Sequence, residues 1–274
     1  MIPAQFDYKR AETVDEAISL LGEHGDEAKL LAGGHSLLPL MKLRLATPSF
    51  LIDVGRLTDL SYIRDAGDHI AIGALTRHRD VEISDLLAAE VPLLAKAAST
   101  VGDPQVRHRG TLGGTLAHAD PASDLPAVIL ALGGTLVAQG PNGSREIAAT
   151  DFFQGFLETA LADDEMITEV RVPKFGGKGW SFQKFTRRSQ DWAIVGVAAV
   201  VANGSTGIAL VNMASTPVRA SDVESALAGG ASATDAAAQA ANGLEPGADL
   251  NASTEYRQHL ARVLVRRALE EAGV

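Results

Sequence analysis

The chain has 274 residues, of which 46% are hydrophobic and 21% charged, so it can bury a sizeable core as one large domain or as two or three small ones. Its formal net charge of −10 disfavours contact with nucleic-acid phosphates. It contains no cysteine, which excludes disulfides, a cysteine nucleophile, cysteine-linked flavins and cysteine-ligated iron–sulfur clusters, so redox chemistry would require a bound organic cofactor.

The N-terminal part of the chain predicts a βαβ unit. Thr13 and Glu16 have the spacing of a helix-capping box, ahead of apolar residues that recur at helical spacing. Residues 28–34 and 49–57 each predict a short strand, and the first of them runs into a glycine turn. Ser36 can cap the helix that follows this turn.

The rest of the chain mixes strand and helix patterns. Strands are predicted at 69–76 and 164–173, and residues 133–153 predict a β-hairpin. After a glycine-rich joint at 176–179, three more strands are predicted, over residues 180–188, 193–202 and 207–215. The segment 225–243 is helix-compatible, and the tail 255–272 predicts an amphipathic helix. The chain is therefore predicted to be α+β and to have three parts.

Two glycine pairs each lie just before a predicted helix. The first is in Ala32-Gly33-Gly34-His35-Ser36, and the second is in Thr111-Leu112-Gly113-Gly114-Thr115. Each is either an ordinary tight turn or a phosphate cradle, because glycine lets backbone N–H groups approach an anion and neighbouring hydroxyls add donors. Together they could hold the two phosphates of a dinucleotide. Asp124 could cap a helix that begins near Pro126, or accept hydrogen bonds from ribityl or ribose hydroxyls.

Other signatures of nucleotide, metal or hydrolase chemistry are missing from the sequence. There is no GxGxxG, GxxxxGK[ST], HExxH or GxSxG motif, and the seven histidines are scattered, so no metal site is predicted. His118 and Asp120 are either a pair or part of a loop hydrogen bond. Trp192 is interpreted as a core residue or as an aromatic beside the cofactor. Lys184 is either a solvated charge or a cofactor contact.

Together these residues resemble the FAD-binding medium subunits of the molybdenum hydroxylase (xanthine oxidase) family, and most of all those of carbon monoxide dehydrogenases. The AGGHS motif at 32–36 is unaltered, and TLGG at 111–114 stands where the family usually has TIGG. Further similar stretches are DPASD at 120–124, EVRVP at 169–173, DWA at 191–193 and YRQHLARVLVRRAL at 256–269. The resemblance covers essentially the whole chain.

The resemblance implies a two-part FAD-binding fold of the PCMH or vanillyl-alcohol-oxidase type. Its N-terminal subdomain would span residues 1–55 and its middle subdomain 56–175, with FAD between them. A C-terminal domain over 176–274, made of a three-stranded antiparallel sheet and helices, would cover the flavin.

The resemblance also implies which residues hold FAD. The four glycines would allow close backbone approach, and the hydroxyls of the two motifs would donate to phosphates. Asp124 would contact the ribityl or phosphate region, with Ile167 and Lys184 nearer the flavin ring. Trp192 stands where related chains carry tyrosine or another residue, so its stacking on the ring stays open. The implied binding residues are Ala32, Gly33, Gly34, His35, Ser36, Thr111, Leu112, Gly113, Gly114, Thr115, Asp124, Ile167, Lys184 and Trp192. No side chain is implied as a proton-transfer catalyst.

The implied partners are a large molybdopterin subunit and a small iron–sulfur subunit, in a heterotrimer that is often doubled. Electrons would pass from molybdenum through two [2Fe-2S] clusters to FAD and then to an external acceptor such as a quinone. Carbon monoxide is the leading substrate of the complex, with aldehydes, purines and N-heterocycles open. We expect a cytoplasmic location, with or without peripheral association with the inner face of the membrane, since the sequence has neither a signal peptide nor a membrane-spanning run.

Two other interpretations stay open. A free-standing flavin oxidase of the wider fold family could attach FAD covalently through His35. In the second interpretation the chain is a scaffold that has lost its cofactor, although both intact glycine motifs argue against this.

Overall fold

The N-terminal part is a three-stranded parallel sheet with two helices, in a computed structural model that describes residues 2–176, 179–202 and 205–274. Its elements are β1 (Asp7–Arg10), α1 (Val14–His24), β2 (Ala28–Leu31), α2 (Leu37–Leu43) and β3 (Phe50–Asp53), with the strand order β1-β3-β2. The predicted βαβ unit and helix cap are confirmed, because Thr13 accepts a hydrogen bond from the Glu16 N–H at the start of α1. All three strands end at the same edge of the sheet.

The middle part is a five-stranded antiparallel sheet with helices. Its elements are β4 (Ile63–Asp65), β5 (His69–Gly73), α3 (His78–Glu82), α4 (Asp85–Glu90), α5 (Pro92–Ala98), α6 (Pro104–Arg109), α7 (Leu112–His118), α8 (Asp124–Ala131), β6 (Thr135–Gly140), β7 (Gly143–Ala148), α9 (Ala149–Phe152), β8 (Phe153–Gly155), β9 (Glu158–Thr159) and β10 (Met166–Pro173). The sheet order is β4-β5-β10-β6-β7, and β8 pairs with β9 in a separate small hairpin. The predicted β6–β7 hairpin is confirmed, with Pro141-Asn142 as its turn and Gly143 at a φ of 108°.

The C-terminal part is an antiparallel sheet followed by helices. Its elements are β11 (Trp180–Phe185), β12 (Val195–Ala202), β13 (Ser205–Val211), β14 (Val218–Arg219), α10 (Ser221–Ala228), α11 (Ala233–Ala237) and α12 (Thr254–Glu271). The three predicted strands are confirmed, and β14 adds a fourth strand. With only two residues, β14 is too short to show the alternation of apolar and polar residues that predicts a strand. Residues 177–178 of the predicted joint lie outside the described residues. No helix in the described ranges is long and apolar enough to cross a membrane.

The C-terminal sheet is buried on both faces. One face of β12 and β13 packs against the middle part, including α8, and the other face packs against α12. At Gly207 in β13 a Cβ would overlap the carbonyl of Ala131 at the end of α8. This close approach requires a glycine at position 207 and brings β13 of the C-terminal part directly against α8 of the middle part.

Candidate cofactor site

A cavity of about 730 Å³ is bordered by residues of all three parts of the chain. This volume lies within the range of small-molecule and cofactor sites. All of the predicted cofactor-binding residues except Leu112 border it. The Leu112 side chain is instead fully buried in the hydrophobic core. The fold therefore brings together side chains that are distant in sequence, such as those of Ser36, Asp124 and Trp192.

The first glycine motif joins the end of β2 to the start of α2 and leaves its backbone donors unused. Within the part of the chain that the structure describes, the N–H groups of residues 33–37 have no hydrogen-bond acceptor. The carbonyls of Gly34 and Ser36 are used, because they accept from Leu38 and Leu40 at 3.1 and 3.2 Å. The predicted side-chain cap by Ser36 is absent, so its hydroxyl adds one more donor. A run of adjacent free donors beside a cavity suits an anion such as a pyrophosphate.

The second glycine motif differs from the first, because the N–H groups of its residues 112–115 are already bonded within the protein. Those of Leu112 and Gly113 donate to carbonyls in the segment 74–76, at 3.0 and 2.8 Å. The N–H of Gly114 donates to Thr111 Oγ1 at 3.2 Å, so the buried Thr111 hydroxyl is the N-cap of α7. A capping hydroxyl can still donate its own hydrogen, but the motif adds fewer donors than the sequence suggests.

The glycines are needed for two different reasons. A Cβ on Gly33 would overlap the backbone of residues 109–110 and lie 2.9 Å from the Gly110 Cα. A Cβ on Gly113 would lie 2.6 Å from the Cβ of Ala74. Gly34 has a φ of 77°, in the left-handed region that favours glycine. Gly33 and Gly113 thus let neighbouring segments of the protein pack together, a reason for glycine that is separate from their predicted role in phosphate approach.

Asp124 and Lys184 form a buried ion pair at the cavity. Asp124 is the first residue of α8 rather than its predicted cap, which is Ser123. Lys184 Nζ lies 2.6 Å from Asp124 Oδ2 and 3.1 Å from the Thr100 carbonyl oxygen, and both side chains are at most 10% exposed. Lys184 is therefore not a solvated charge.

The second carboxylate oxygen of Asp124 has no partner. Asp124 Oδ1 is buried and without a hydrogen-bond partner among the described residues. Burial raises the pKa of Asp124 to about 6, against the opposing effects of Lys184 and Thr100. Because a buried acceptor without a donor is costly, this oxygen suits a ligand hydroxyl such as those of a ribityl chain.

The side of the cavity formed by the C-terminal part contains an exposed aromatic residue. Trp192 borders the cavity and is 57% exposed, so the interpretation of Trp192 as a core residue is wrong. Ile167, on β10, also borders the cavity but is almost fully buried. One face of a planar ring could therefore meet the indole of Trp192, which is typical of aromatic packing.

Two family models cover nearly the whole chain. Residues 4–175 match the "FAD binding domain in molybdopterin dehydrogenase", and residues 180–272 match the "CO dehydrogenase flavoprotein C-terminal domain". The chain belongs to the FAD-binding medium subunits of the molybdenum hydroxylases. FAD is therefore the cofactor of this medium subunit, and the subunit is part of an oxidoreductase.

Individual relatives match along their full lengths. The chain is 45% identical to the carbon monoxide dehydrogenase medium chain of Hydrogenophaga pseudoflava, over 99% of this chain and 98% of that one. It is 38% identical to the 6-hydroxypseudooxynicotine dehydrogenase complex subunit alpha of Paenarthrobacter nicotinovorans, over 99% and 96% of the two chains. A solved structure of the Hydrogenophaga pseudoflava carbon monoxide dehydrogenase, which lacks the Mo-pyranopterin moiety, matches with a TM-score of 0.95 and 45% identity, over 99% and 98% of the chains. The predicted family and fold are confirmed.

His78 is a cavity residue of this medium subunit that the sequence analysis missed. It lies in α3, is 4% exposed, and its ring faces Gly110, where a Cβ would lie 2.6 Å from the imidazole Cδ2. Burial, helped by His35, Arg107 and Arg77, lowers the pKa of His78 to about 4, so the ring is neutral at pH 7. A lone histidine between two arginines carries no sequence signal that would distinguish it from a surface residue.

Near the second motif, Asp120 makes a loop hydrogen bond. Its Oδ1 accepts from the Ala122 N–H at 2.9 Å. Burial lowers the pKa of His118, and the charge of Asp120 opposes that shift. The structure thus favours the loop interpretation of this sequence over a dedicated His118–Asp120 pair.

Proposed function

We propose that this medium subunit passes electrons from a small [2Fe-2S] subunit to an external acceptor such as a quinone, within a heterotrimer whose large subunit carries molybdopterin. The complex is proposed to oxidise carbon monoxide, to form a dimer of heterotrimers, and to work in the cytoplasm or at the inner face of the membrane. The observation that carries the role of this chain is the run of free N–H groups at 33–37 beside a cavity of cofactor size.

The described residues fit FAD in three respects. The donors at 33–37 would hold the pyrophosphate, and Asp124 Oδ1 would accept from a ribityl hydroxyl. Trp192 would lie beside the flavin ring, and Lys184 would keep Asp124 ionised by its charge. When bound, FAD supplies both one-electron and two-electron redox chemistry, which amino-acid side chains other than cysteine seldom provide.

Carbon monoxide is proposed as the substrate because the relative with 45% identity is named for it. The relative with 38% identity is named for a different dehydrogenase, so similarity of this subunit does not fix the substrate. A substrate site on the large subunit would explain this, since medium subunits of similar sequence could then serve different reactions.

The isolated chain is expected to oxidise no substrate. Because it has no cysteine to hold an iron–sulfur cluster, carbon monoxide, aldehydes and purines should leave its flavin absorbance at 450 nm unchanged, while dithionite should bleach it. Co-expressed with the genes for its partners, it should co-purify with a cysteine-rich small subunit and a molybdenum-containing large subunit. Carbon monoxide should then bleach the flavin of that complex.

The control is the complex produced without molybdenum, which should bind FAD but fail to bleach. Substrate turnover by the isolated chain would contradict the proposal and favour the free-standing oxidase. Bleaching of the complex by an aldehyde or purine, but not by carbon monoxide, would contradict only the proposed substrate.

FAD is expected to be bound without a covalent link. His35 borders the cavity but is exposed. Its motif offers FAD a run of backbone hydrogen-bond donors, and such donors can hold a dinucleotide without a covalent bond. Acid precipitation should therefore release all of the yellow colour into the supernatant. Colour that stays in the pellet, and is lost in a His35→Ala variant, would show the covalent attachment that the rival interpretation requires.

A further inference from the structure

Asn212 connects two sides of the cavity. It directly follows β13, with a φ of 62°, between Val211 and Met213, which are both fully buried. Its backbone N–H donates to the Pro121 carbonyl oxygen at 2.8 Å. Its side-chain Nδ2 donates to the Ala193 carbonyl oxygen at 2.7 Å. One residue in a fixed position therefore bonds to two loops.

Both loops lead directly to cavity residues. Pro121 belongs to the loop between α7 and α8 and lies three positions before Asp124. Ala193 belongs to the loop between β11 and β12 and directly follows Trp192. Asp124 and Trp192 both border the cavity. The hydrogen bonds of Asn212 thus link the segment that carries Asp124 to the segment that carries Trp192.

The backbone beyond Trp192 is held more firmly than the indole itself. Ala193 is 1% exposed, whereas Trp192 is 57% exposed. The Ile194 carbonyl accepts a hydrogen bond from Arg257, a residue of α12 that is 2% exposed and is paired with Asp249 at 2.7 Å. The indole is thus attached to a backbone that Asn212 helps to hold: Asn212 Nδ2 is the only donor seen at the Ala193 carbonyl among the described residues, and it also lies 3.4 Å from the Ile194 carbonyl oxygen.

Few residue types can do what Asn212 does. The left-handed φ favours glycine, asparagine and aspartate. Among these three, glycine has no donor, and aspartate would place a carboxylate against the carbonyl oxygen of Ala193. Asparagine combines the backbone conformation with a side-chain N–H donor, so its presence is explained by the bond to Ala193.

We propose that Asn212 is a positioning residue that holds Trp192 at the flavin ring. Its side chain fixes the backbone on the C-terminal side of Trp192, and its backbone N–H keeps that loop in register with the segment that leads to Asp124. The inference rests on the proposed placement of the flavin ring beside Trp192, and it adds a residue that does not itself border the cavity.

The test uses Trp192 as its own reporter. The chain has two tryptophans, so a Trp180→Phe background leaves the fluorescence of Trp192 alone. In this background, Asn212→Gly removes the side-chain donor but keeps both the left-handed backbone and the N–H bond to Pro121. Without FAD, the steady-state anisotropy of Trp192 should fall. With FAD, quenching of its emission should drop to less than about half, and the FAD dissociation constant should rise by up to about tenfold, because an indole that is no longer held in place must be ordered when FAD binds.

A double-mutant cycle separates positioning from general stability. When Trp192 is replaced by Ala, Asn212→Gly should no longer change the FAD dissociation constant, because the side chain would then have no ring to position. Asn242→Gly is the matched control, since Asn242 also donates through its side chain, to Asp222 at 3.1 Å, but on the exposed surface of the C-terminal part. This control should leave both anisotropy and FAD affinity unchanged.

Unchanged anisotropy and FAD quenching in the Asn212→Gly variant would overturn the proposal. So would an equal loss of FAD affinity with and without Trp192, which would indicate a structural role only. If the glycine variant does not fold, Asn212→Asp decides by the same measurements, because aspartate keeps the backbone conformation. If the parent chain binds no FAD, that result contradicts the proposed cofactor site and not the role of Asn212. The anisotropy measured without FAD still tests whether Asn212 holds Trp192.

Discussion

The Gly33→Ala variant is expected to be purified without FAD. The added Cβ would overlap the carbonyl of Arg109 and lie 2.9 Å from the Gly110 Cα, and neither backbone atom can move aside as a flexible side chain could. The first motif must therefore shift away from the second. Because the free N–H groups at 33–37 would move with it, the pyrophosphate would lose at least two charge-assisted hydrogen bonds, each worth about 1.5–3 kcal/mol. This corresponds to a rise of roughly 100-fold or more in the FAD dissociation constant.

Flavin content and thermal unfolding together check this prediction. The apo-protein should also lose about 1–3 kcal/mol of stability, as is usual for overpacking. Gly22→Ala is the matched control, because Gly22 lies in α1 and its Cβ would have no neighbour within 4 Å. That variant should retain FAD and be as stable as the parent or slightly more stable. Full FAD content in the Gly33→Ala variant would mean that the two motifs can separate without cost, and that the donors at 33–37 do not hold the cofactor.

The parts of the structure that could be predicted from sequence are those that depend on neighbouring residues. The cap of α1 follows from Thr13 and Glu16, which are three positions apart and meet through a backbone hydrogen bond. The β6–β7 hairpin follows from the local turn signal Asn142-Gly143, although the two-residue turn itself is Pro141-Asn142 and Gly143 is the first residue of β7. Both glycine motifs, which are local signals in the sequence, border the cavity that we propose to hold FAD.

The parts that could not be predicted depend on contacts between distant segments. Local sequence made the second glycine motif a candidate phosphate cradle, but the N–H groups of Leu112 and Gly113 are bonded to carbonyls of the distant segment 74–76. Trp192 has an apolar strand after it and so resembles a core residue, although the loop leaves it exposed. The pairing of Lys184 with Asp124 joins residues of two different parts of the chain. Periodicity and motif spacing carry no information about such pairs.

Replacement of Lys184 by methionine is expected to destabilise the protein strongly at pH 8. Methionine has a similar length and would fill the space, but Asp124 would lose its counter-ion while remaining buried. Removal of one partner of a buried ion pair typically costs about 3–5 kcal/mol. FAD binding should also weaken, because Asp124 borders the cavity and would be protonated or displaced.

The pH dependence gives this prediction its specific signature. The pKa of Asp124 is already raised in the folded protein to about 6 from an ordinary value of 3.8, so below pH 6 the folded state binds more protons than the unfolded state. Stability from this group is therefore lost as the pH rises from about 4 to 6. Without Lys184 the pKa of Asp124 in the folded state rises further, so the variant continues to lose stability at higher pH. The difference in the free energy of unfolding between variant and parent should therefore widen from pH 5 to pH 8.

Urea denaturation at pH 5 and pH 8 measures this gap, with Lys174→Met as the control. Lys174 also lies 2.6 Å from a carboxylate, that of Asp65, but this pair is on the surface. The hydrogen bond to Lys174 lowers the pKa of Asp65, and even without Lys174 the ordinary value of 3.8 for this exposed carboxylate lies below the tested range, so the control should show a small effect with no dependence on pH. If the destabilisation by Lys184→Met were the same at both pH values, the cost would come from lost packing around residue 184, and Asp124 would not depend on Lys184 for its charge.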